Sequence, residues 1–421
     1  MATLTNKKPN ISKTVESDLC CGCGVCSNAC PFGAITMHVV SGEFRPSVDV
    51  AQCHNQEGCH RCYDTCAGLG ITANQVESPI LAEQYNPLIG NFQACFSAHA
   101  ADENLRFHAA SGGTLSAFLI WLLEQHEIDG VVLTRFNPSE PTMTEPFLAT
   151  TPQDILSAKS SKYAPVALDN ITQLVKRANG SRYVVVGLPC HIQSMRKLLN
   201  IDAPLRRKVM GLFSLYCSGT RTFLFTDYIF RTRKINRGQL TYLAYRDNGC
   251  LGGMVARGKD LDFYEPYQSY SHPLRSMFYP NRCLLCADHL GEWSDVSFGD
   301  LHVKPYSDDK IGVNSVITRS ECWNRLLRQA GKDGAIVINP LDPDVLLQSQ
   351  KMAYVKKSRN LAFCAILKRK RKPYPEYDYP LPAVKLRDRI NYMQISVQRF
   401  IGRHKGLWWL IPLFKAKVRI D

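Results

Sequence analysis

Hydrophobic runs concentrate in the middle of the chain and set its predicted elements. After Ser111, Gly112 and Gly113 comes TLSAFLIWLLE, apolar on nearly every side, which predicts a buried helix. Gly130 stops it, and Val131 to Phe136 reads as a strand. Tyr183 to Leu188 (YVVVGL) is a buried-strand pattern that runs into Pro189 and Cys190, with a helix from about His191 to Leu199. Val209 to Tyr216 (VMGLFSLY) is a second such run. It ends at Cys217, Ser218 and Gly219, and a helix follows from about Thr222. Strand–helix–strand order predicts parallel neighbours joined by a right-handed crossover. Cys190 and Cys217 then lie at the carboxyl ends of adjacent strands, where open α/β sheets place ligands. The helix starts beside them favour an anionic group, such as a thiolate-ligated cluster. No apolar run reaches the roughly 18 residues of a spanning helix; the longest, Leu115 to Leu123, is nine residues broken by Ser116.

Length and composition narrow the picture. The 421 residues suggest two or three domains at about 150 each. With 45% hydrophobic and 21% charged residues, a wholly disordered chain is excluded. The start, MATLTNKKPN, lacks an apolar signal core, so the expectation is a cytoplasmic protein. Cysteine is the anomaly: there are 17, and nine of them lie between Cys20 and Cys66. In a reducing compartment such clustering argues for metal before disulfides. The net charge of +14 is also uneven. From Lys356 to Asp421 there are 17 Lys/Arg against four Asp/Glu, so the basicity belongs to a tail.

Cys20, Cys23, Cys26 and Cys30, followed by Pro31, spell CxxCxxCxxxCP, the bacterial ferredoxin pattern. Three thiolates at that spacing wrap one iron–sulfur cube, and the fourth reaches the other cluster. A second run follows at Cys53, Cys59, Cys62 and Cys66, its first gap stretched to five residues. The crossed assignment is Cys20, Cys23, Cys26 and Cys66 on one [4Fe-4S] cluster, with Cys30, Cys53, Cys59 and Cys62 on the other. Zinc is the rival for CxxC pairs, but eight cysteines with the CP punctuation favour two cubanes. Cys21 reads as a spare thiol. His54 and His60 read as loop histidines, close enough to tune a cluster through a hydrogen bond. In the body, Cys190 and Cys217 cannot hold a cubane alone. Cys283 and Cys286 (RCLLCADH) would complete a third site; the alternative is four buried, inert cysteines. Cys95, Cys250, Cys322 and Cys364 read as structural. A helix preceded by SGG leaves backbone N–H groups for a phosphate, although SGG is also an ordinary cap.

These stretches together resemble the beta-subunit family of the coenzyme F420 hydrogenases and dehydrogenases. The matching segments are SGGTLSAFLIWLLE, SAKSSKYAP, VVVGLPCHIQSMRKL, YCSGT, YRDNGCLGG, RCLLCADHLGEWSDVSFGD and GVNSVITRS, in the family's order from about Ser111 to Ser320. The resemblance implies FAD, a core [4Fe-4S] cluster on Cys190, Cys217, Cys283 and Cys286, and exchange between one-electron carriers and a two-electron substrate. It implies a flavin site drawing on Ser111, Gly112, Gly113, Ser160, Ser161, Lys162 and Tyr163. Lys162 would place a positive charge near the flavin, the plainer reading being a solvated SSKY loop. Asp300, in SFGD, is expected to organise a turn.

The expected fold is α/β (α+β overall), a bacterial ferredoxin-like N-terminal domain followed by an α/β flavin- and cluster-binding body. The expected divisions are 1–80 for the ferredoxin-type domain, 81–205 for the flavin-binding part, 206–345 for the cluster-binding part and 346–421 for a basic tail. The leading function is an iron–sulfur flavoprotein oxidoreductase. It would take electrons from ferredoxin or a similar one-electron carrier and pass them to an unidentified organic substrate, with surface-polysaccharide synthesis as one setting the family suggests. The alternatives are a non-catalytic electron-transfer subunit of a larger complex, or a coenzyme F420 oxidoreductase. No recognition motif supports nucleic-acid binding. The tail carries KRKRK (Lys368 to Lys372) and ends in GLWWLIPLFKAKVRI. Its tryptophans among cations suit peripheral contact with a membrane surface, the alternative being that Trp408 and Trp409 pack on the body.

Overall fold

A computed structural model describes residues 8–77, 82–274 and 276–414. The boundary expected at residues 80 and 81, and Lys415 to Asp421 of the tail, lie outside the described residues. Near the N-terminus a short helix α1 (Val25–Ala29) precedes a hairpin of β1 (Ile35–Val40) and β2 (Glu43–Val48), paired with Ile35 opposite Val48. The cysteine loop needs glycine where it meets the body. Gly24 has φ +77°, and a Cβ there would lie 2.8 Å from the Leu168 amide nitrogen. That approach lets the Leu168 amide donate to the Cys23 carbonyl at 2.8 Å, while the Asn28 side chain donates to the Leu168 carbonyl at 2.7 Å.

The body is built on a mixed eight-stranded sheet. Its strands are β3 (Ala94–Ala100), β4 (Gly130–Asn137), β5 (Glu140–Ala149), β6 (Tyr183–Gly187), β7 (Val209–Leu215), β11 (Val296–Asp300), β12 (Asn314–Thr318) and β13 (Ile336–Pro340). A separate meander comprises β8 (Leu240–Asp247), β9 (Gly253–Gly258) and β10 (Leu261–Pro266). The main order is β13-β3-β12-β11-β7-β6-β4-β5. As the pattern predicts, β6 and β7 are parallel neighbours, with Val184 opposite Gly211, and helix α3 (Pro189–Ile201) connects them. The contacts of β4 with β6 and of β7 with β11 are parallel too, while both flanks of the sheet are antiparallel.

Helix α2 (Thr114–Glu124) is apolar nearly all round because it is covered. Phe118 is fully buried and stacks on Phe213 of β7 at 6.0 Å between ring centroids. In the same core, α5 (Glu321–Lys332) turns Trp323 edge-on to Phe213 at 4.7 Å. Gly211 makes that space: a Cβ there would meet the Trp323 ring at 2.5 Å. A second core forms where α4 (Phe223–Arg233) packs on the meander through Phe225, Tyr245, Met254 and Phe278.

The segment expected to be a separate tail from residue 346 is instead stitched into the molecule. Helix α6 (Leu361–Arg369) buries every residue from Leu361 to Leu367. Glu376–Tyr377 pairs in parallel with Gly70–Ile71 of the N-terminal domain. Trp408 is buried against Tyr228 and Phe278. The physical reason is composition: the net charge of the segment hides a fully apolar helix and an aromatic anchor, and burying them outweighs leaving the chain solvated. Among the described residues no helix is long and apolar enough to cross a membrane.

Candidate functional site

The N-terminal loops gather the eight cysteines into two neighbourhoods, one around Cys66 and one around Cys62. Cys66 lies among Cys20, Cys23 and Cys26: burial, then Cys66, raises the Cys26 thiol, and a hydrogen bond with Cys21, then burial, raises that of Cys23. Burial, then Cys21, pushes Cys20 up to about 11; burial, then Cys21 and Cys20, pushes Cys66 up to about 12. Cys62 gathers Cys30, Cys59 and Cys53, and burial together with those neighbours pushes it up to about 11. This second group lines a cavity shared with Phe32, Ile35 and His54. Thiols so crowded and desolvated stay protonated unless a metal takes the negative charge. Backbone donors already face the sulfurs, from Gly22 N–H to Cys20 Sγ (3.4 Å) and from Gly68 N–H to Cys66 Sγ (3.2 Å). The residues therefore fit thiolate-held clusters, whose sulfurs take such hydrogen bonds. Among the described residues no three His, Cys, Asp or Glu side chains converge as for a single metal ion. Thiolates on a cubane bind separate irons and stand wider than the ~3.8 Å edge of a tetrahedral zinc site. His54 and His60 are held by Glu57 and Asp64 on the exposed rim.

The four body cysteines also meet. Cys190 at the start of α3 faces Cys217 beyond β7, and Cys283 faces Cys217 and Cys286; burial, then Cys217, pushes Cys283 up to about 12. Two residues of the tail close the group. Lys356, 1% exposed, donates from Nζ to Cys286 Sγ at 3.6 Å and to the Asp288 carbonyl at 2.7 Å. Asn360 donates to the carbonyls of Cys283 and Cys286 at 3.3 and 2.9 Å. Nothing in the sequence pattern pointed to either residue.

Cys21, read as a spare thiol, stands between groups, within hydrogen-bonding reach of Cys190 and of Cys23. Helix α3 ties the same two groups together. Four residues after Cys190, Ser194 Oγ lies 3.5 Å from Cys23 Sγ and accepts from the Ala67 amide at 2.9 Å. Arg282, next to Cys283, donates to the Ala67 and Gly68 carbonyls at 2.7 and 2.9 Å. Of the remaining thiols, Cys95 and Cys364 are buried, and Cys322 is exposed.

Of the residues assigned to a flavin, Ser160 and Tyr163 lie beside Arg246, and Ser111 lies beside Cys250 next to it. The Ser111–Gly113 turn packs against Gly312–Asn314. Ser111 Oγ donates to the Val313 carbonyl at 3.3 Å, and a Cβ on Gly112 would lie 2.6 Å from Asn314 Oδ1. Gly113, at φ +70°, caps α2, and the Thr114 hydroxyl behind it is buried with no hydrogen-bond partner among the described residues. Ser160 Oγ donates to the Arg246 carbonyl at 2.5 Å, and half-buried Ser161 follows it. Tyr163 packs on Tyr245 and Tyr267. Lys162 departs from expectation. Its ammonium donates to the carbonyls of Ala158, Lys159 and Ser160, so its donors are spent on its own loop, and burial pulls its pKa down to about 7. The cation facing this region is Arg246, 4% exposed, which bonds Asp300 at 2.6 Å and reaches Cys250 Sγ at 3.8 Å. Burial alone would raise the Asp300 carboxyl, but Arg246 and then His302, at 2.9 Å, hold it far below the usual carboxylate range. Asp300 is therefore an anion that fixes Arg246 and His302. A hydrogen-bonded path links it to the third cysteine group: Cys217 carbonyl to His289 (3.0 Å), His289 to Gln350 (2.9 Å), and Gln350 to the Asp300 carbonyl. Arg246, Cys250, His302 and Gln350 escaped the sequence reading as site residues. The first two sit within YRDNGCLGG, the only signal that could have marked them.

Residues 95–174 match the model of the coenzyme F420 hydrogenase/dehydrogenase beta subunit N-terminus, residues 180–344 match that of its C-terminus, and residues 13–36 match a 4Fe-4S binding domain. A coenzyme F420 hydrogenase subunit beta of Methanococcus voltae is 26% identical over 64% of this chain and 93% of its own length. A subunit of the F(420)H(2) dehydrogenase of Methanosarcina mazei is 24% identical over 79% of this chain and 88% of its own. A coenzyme F420-dependent sulfite reductase of Methanocaldococcus jannaschii is 27% identical over 74% of this chain, which spans 46% of that longer protein. Among solved structures, a chain of the F420-reducing [NiFe] hydrogenase complex from Methanosarcina barkeri superposes with a TM-score of 0.54 at 21% identity. The match covers 71% of this chain and 99% of that one, a likeness of fold.

Proposed function

The chain belongs to the coenzyme F420 hydrogenase/dehydrogenase beta-subunit family, and on that premise we propose that it is the electron-transfer subunit of an oxidoreductase assembly. In this reading a ferredoxin-like carrier exchanges single electrons at the N-terminal cysteine loops, and an organic two-electron acceptor is served beside Arg246. The observation that carries the proposal is the join made by α3, which sets Cys190 of the body within one helical turn of Ser194, the residue touching Cys23. When bound, [4Fe-4S] clusters supply one-electron carriers and a flavin couples them to two-electron chemistry.

The protein's own part is to hold and insulate. Cys20, Cys23, Cys26 and Cys66 would hold the inner N-terminal cluster, and Cys30, Cys53, Cys59 and Cys62 the outer one. Cys190, Cys217, Cys283 and Cys286 would hold the third. Ser111, Gly112, Gly113, Ser160, Ser161 and Tyr163 would line the FAD site, with Lys162 stiffening its loop. The unpartnered Thr114 hydroxyl supports this, since it leaves a hydrogen bond unfilled at a helix start where a phosphate is favoured. Arg246, anchored by Asp300, is the cation suited to a reduced anionic ring. Use of coenzyme F420 itself is a second reading, favoured by the names of the relatives. Those names offer no support for a surface-polysaccharide substrate.

The test is anaerobic purification with iron, sulfide and flavin assays, then reduction by ferredoxin and separately by reduced coenzyme F420. About 12 irons and one flavin per chain are expected, with electrons from ferredoxin reaching the flavin. Two zinc ions and little iron would overturn the reading. Flavin reduction by reduced coenzyme F420 alone would select the second reading.

A further inference from the structure

The outer face of helix α7 (Leu386–Arg403) breaks the rule that a surface helix turns its polar side to water. Its inner face is accounted for: Tyr392 packs on Phe363 at 5.2 Å, Arg399 donates to the Tyr279 carbonyl at 2.8 Å, and Gly402 is buried. The opposite face carries Leu386, Ile390, Met393, Val397 and Phe400, all exposed, with Leu386 at 73% and Met393 at 61%. At about 100° of rotation per residue these five fall within roughly an 80° arc along a helix about 27 Å long. Beyond the helix, Trp408 turns inward, while its neighbour Trp409 is 70% exposed and Leu413 75%. A stripe this long is too apolar to be scattered surface hydrophobicity.

Charge says what covers it. Arg387 and Arg389 are exposed beside the stripe. Between Leu386 and Phe414 the sequence has one acid, Asp388, and it is buried, accepting from the Lys385 amide at 2.9 Å. Arg403 and Lys405 further along are paired with Glu43 and Asp227, but among the described residues no acid pairs with Arg387 or Arg389, so the cations beside the stripe are uncompensated. Two copies meeting along this face would bring arginine to arginine with no acid to pair them, the reverse of the flanking charges that join helices. An anionic lipid surface supplies what is missing: an apolar layer for the stripe, headgroup phosphates for the arginines, and an interface for an exposed tryptophan.

We propose that α7 and the Trp409 segment form an interfacial membrane anchor that holds this chain flat against an anionic lipid surface. This is independent of which substrate or cofactor the protein takes. The test uses the full-length chain with vesicles of equimolar phosphatidylglycerol and phosphatidylcholine, and with phosphatidylcholine alone. Co-sedimentation with the anionic vesicles at low salt is expected, weakened by high salt and by omission of the anionic lipid. The triple variant M393E/V397E/F400E should bind at least about tenfold less tightly, with iron content unchanged. Brominated lipid should quench the fluorescence of the wild type more than that of Trp409→Phe. That measurement decides the matter on its own if the triple variant does not fold. Absence of wild-type sedimentation, equal binding by the triple variant, or equal quenching would each overturn the anchor. So would a dimer that the triple variant dissociates in the absence of any lipid binding.

Discussion

Replacing Lys356 with methionine should lower the reduction potential of one cluster and leave the others in place. The ammonium is 1% exposed and sits 3.6 Å from Cys286 Sγ. Burial alone would lower its pKa, but Cys286, then Cys217 and Cys283, as thiolates, hold it above the usual lysine range, so the side chain is a cation. A positive charge favours adding an electron to a neighbouring group. With an effective dielectric of about 20 and about 6 Å to the centre of the added charge, the interaction is ~3 kcal/mol. At 59 mV per tenfold for one electron, that is on the order of 100 mV. Methionine nearly matches the length of the side chain and removes the charge, so the potential should fall by that amount. Lys356→Gln keeps a donor without the charge and should fall less. The loss of the donor to the Asp288 carbonyl costs about 1–3 kcal/mol, offset by no longer burying an ammonium, so the fold should survive. The assay is a potentiometric titration followed by electron paramagnetic resonance, with iron counted per chain. Unchanged potentials at full iron content would show that Lys356 does not neighbour a cluster. A shift confined to the N-terminal signals would show that the ligand groups are misassigned.

Further outcomes are as direct. Cys283→Ala should lose about four of about 12 irons while ferredoxin-type signals persist; an unchanged iron count would reject the third ligand group. Phe118→Ala removes a fully buried ring stacked between α2 and β7 and should cost about 3–5 kcal/mol in urea unfolding; a loss under about 1 kcal/mol would mean that the ring is not central to the core. His191 accepts from the Leu188 amide at Nδ1 and meets the Val166 carbonyl through Nε2, so it is neutral, and burial holds its pKa below 6.5. The unfolded chain takes up that proton first, so stability should fall as pH drops through the region just below 6.5. Anaerobic denaturation of the wild type and of His191→Gln would check this, since the variant should lose that part of the slope.

What was legible in the sequence was local. The spacing of Cys20, Cys23, Cys26 and Cys30 fixes a tight loop, and YVVVGLPC and VMGLFSLYC state a strand, its end and a cysteine within a few residues, so their geometry followed from short-range rules. What was not legible depends on residues far apart in the chain. Cys21 reads as spare until α3 brings Cys190 to it, 169 positions on. Lys356 reads as the first charge of a basic tail until α6 buries and turns the segment, and then the same charge faces three thiols. Arg246 and Asp300 are ordinary in sequence, and only the meander's return onto the main sheet makes them a pair. Helix α7 shows the limit most plainly. A 4-3-4-3 spacing of apolar residues predicts one buried face, and Tyr392 and Ile395 supply another on the opposite side. A pattern can state that two faces are apolar, but only the packed neighbour decides which face is spent, and therefore which face remains to meet something outside the chain.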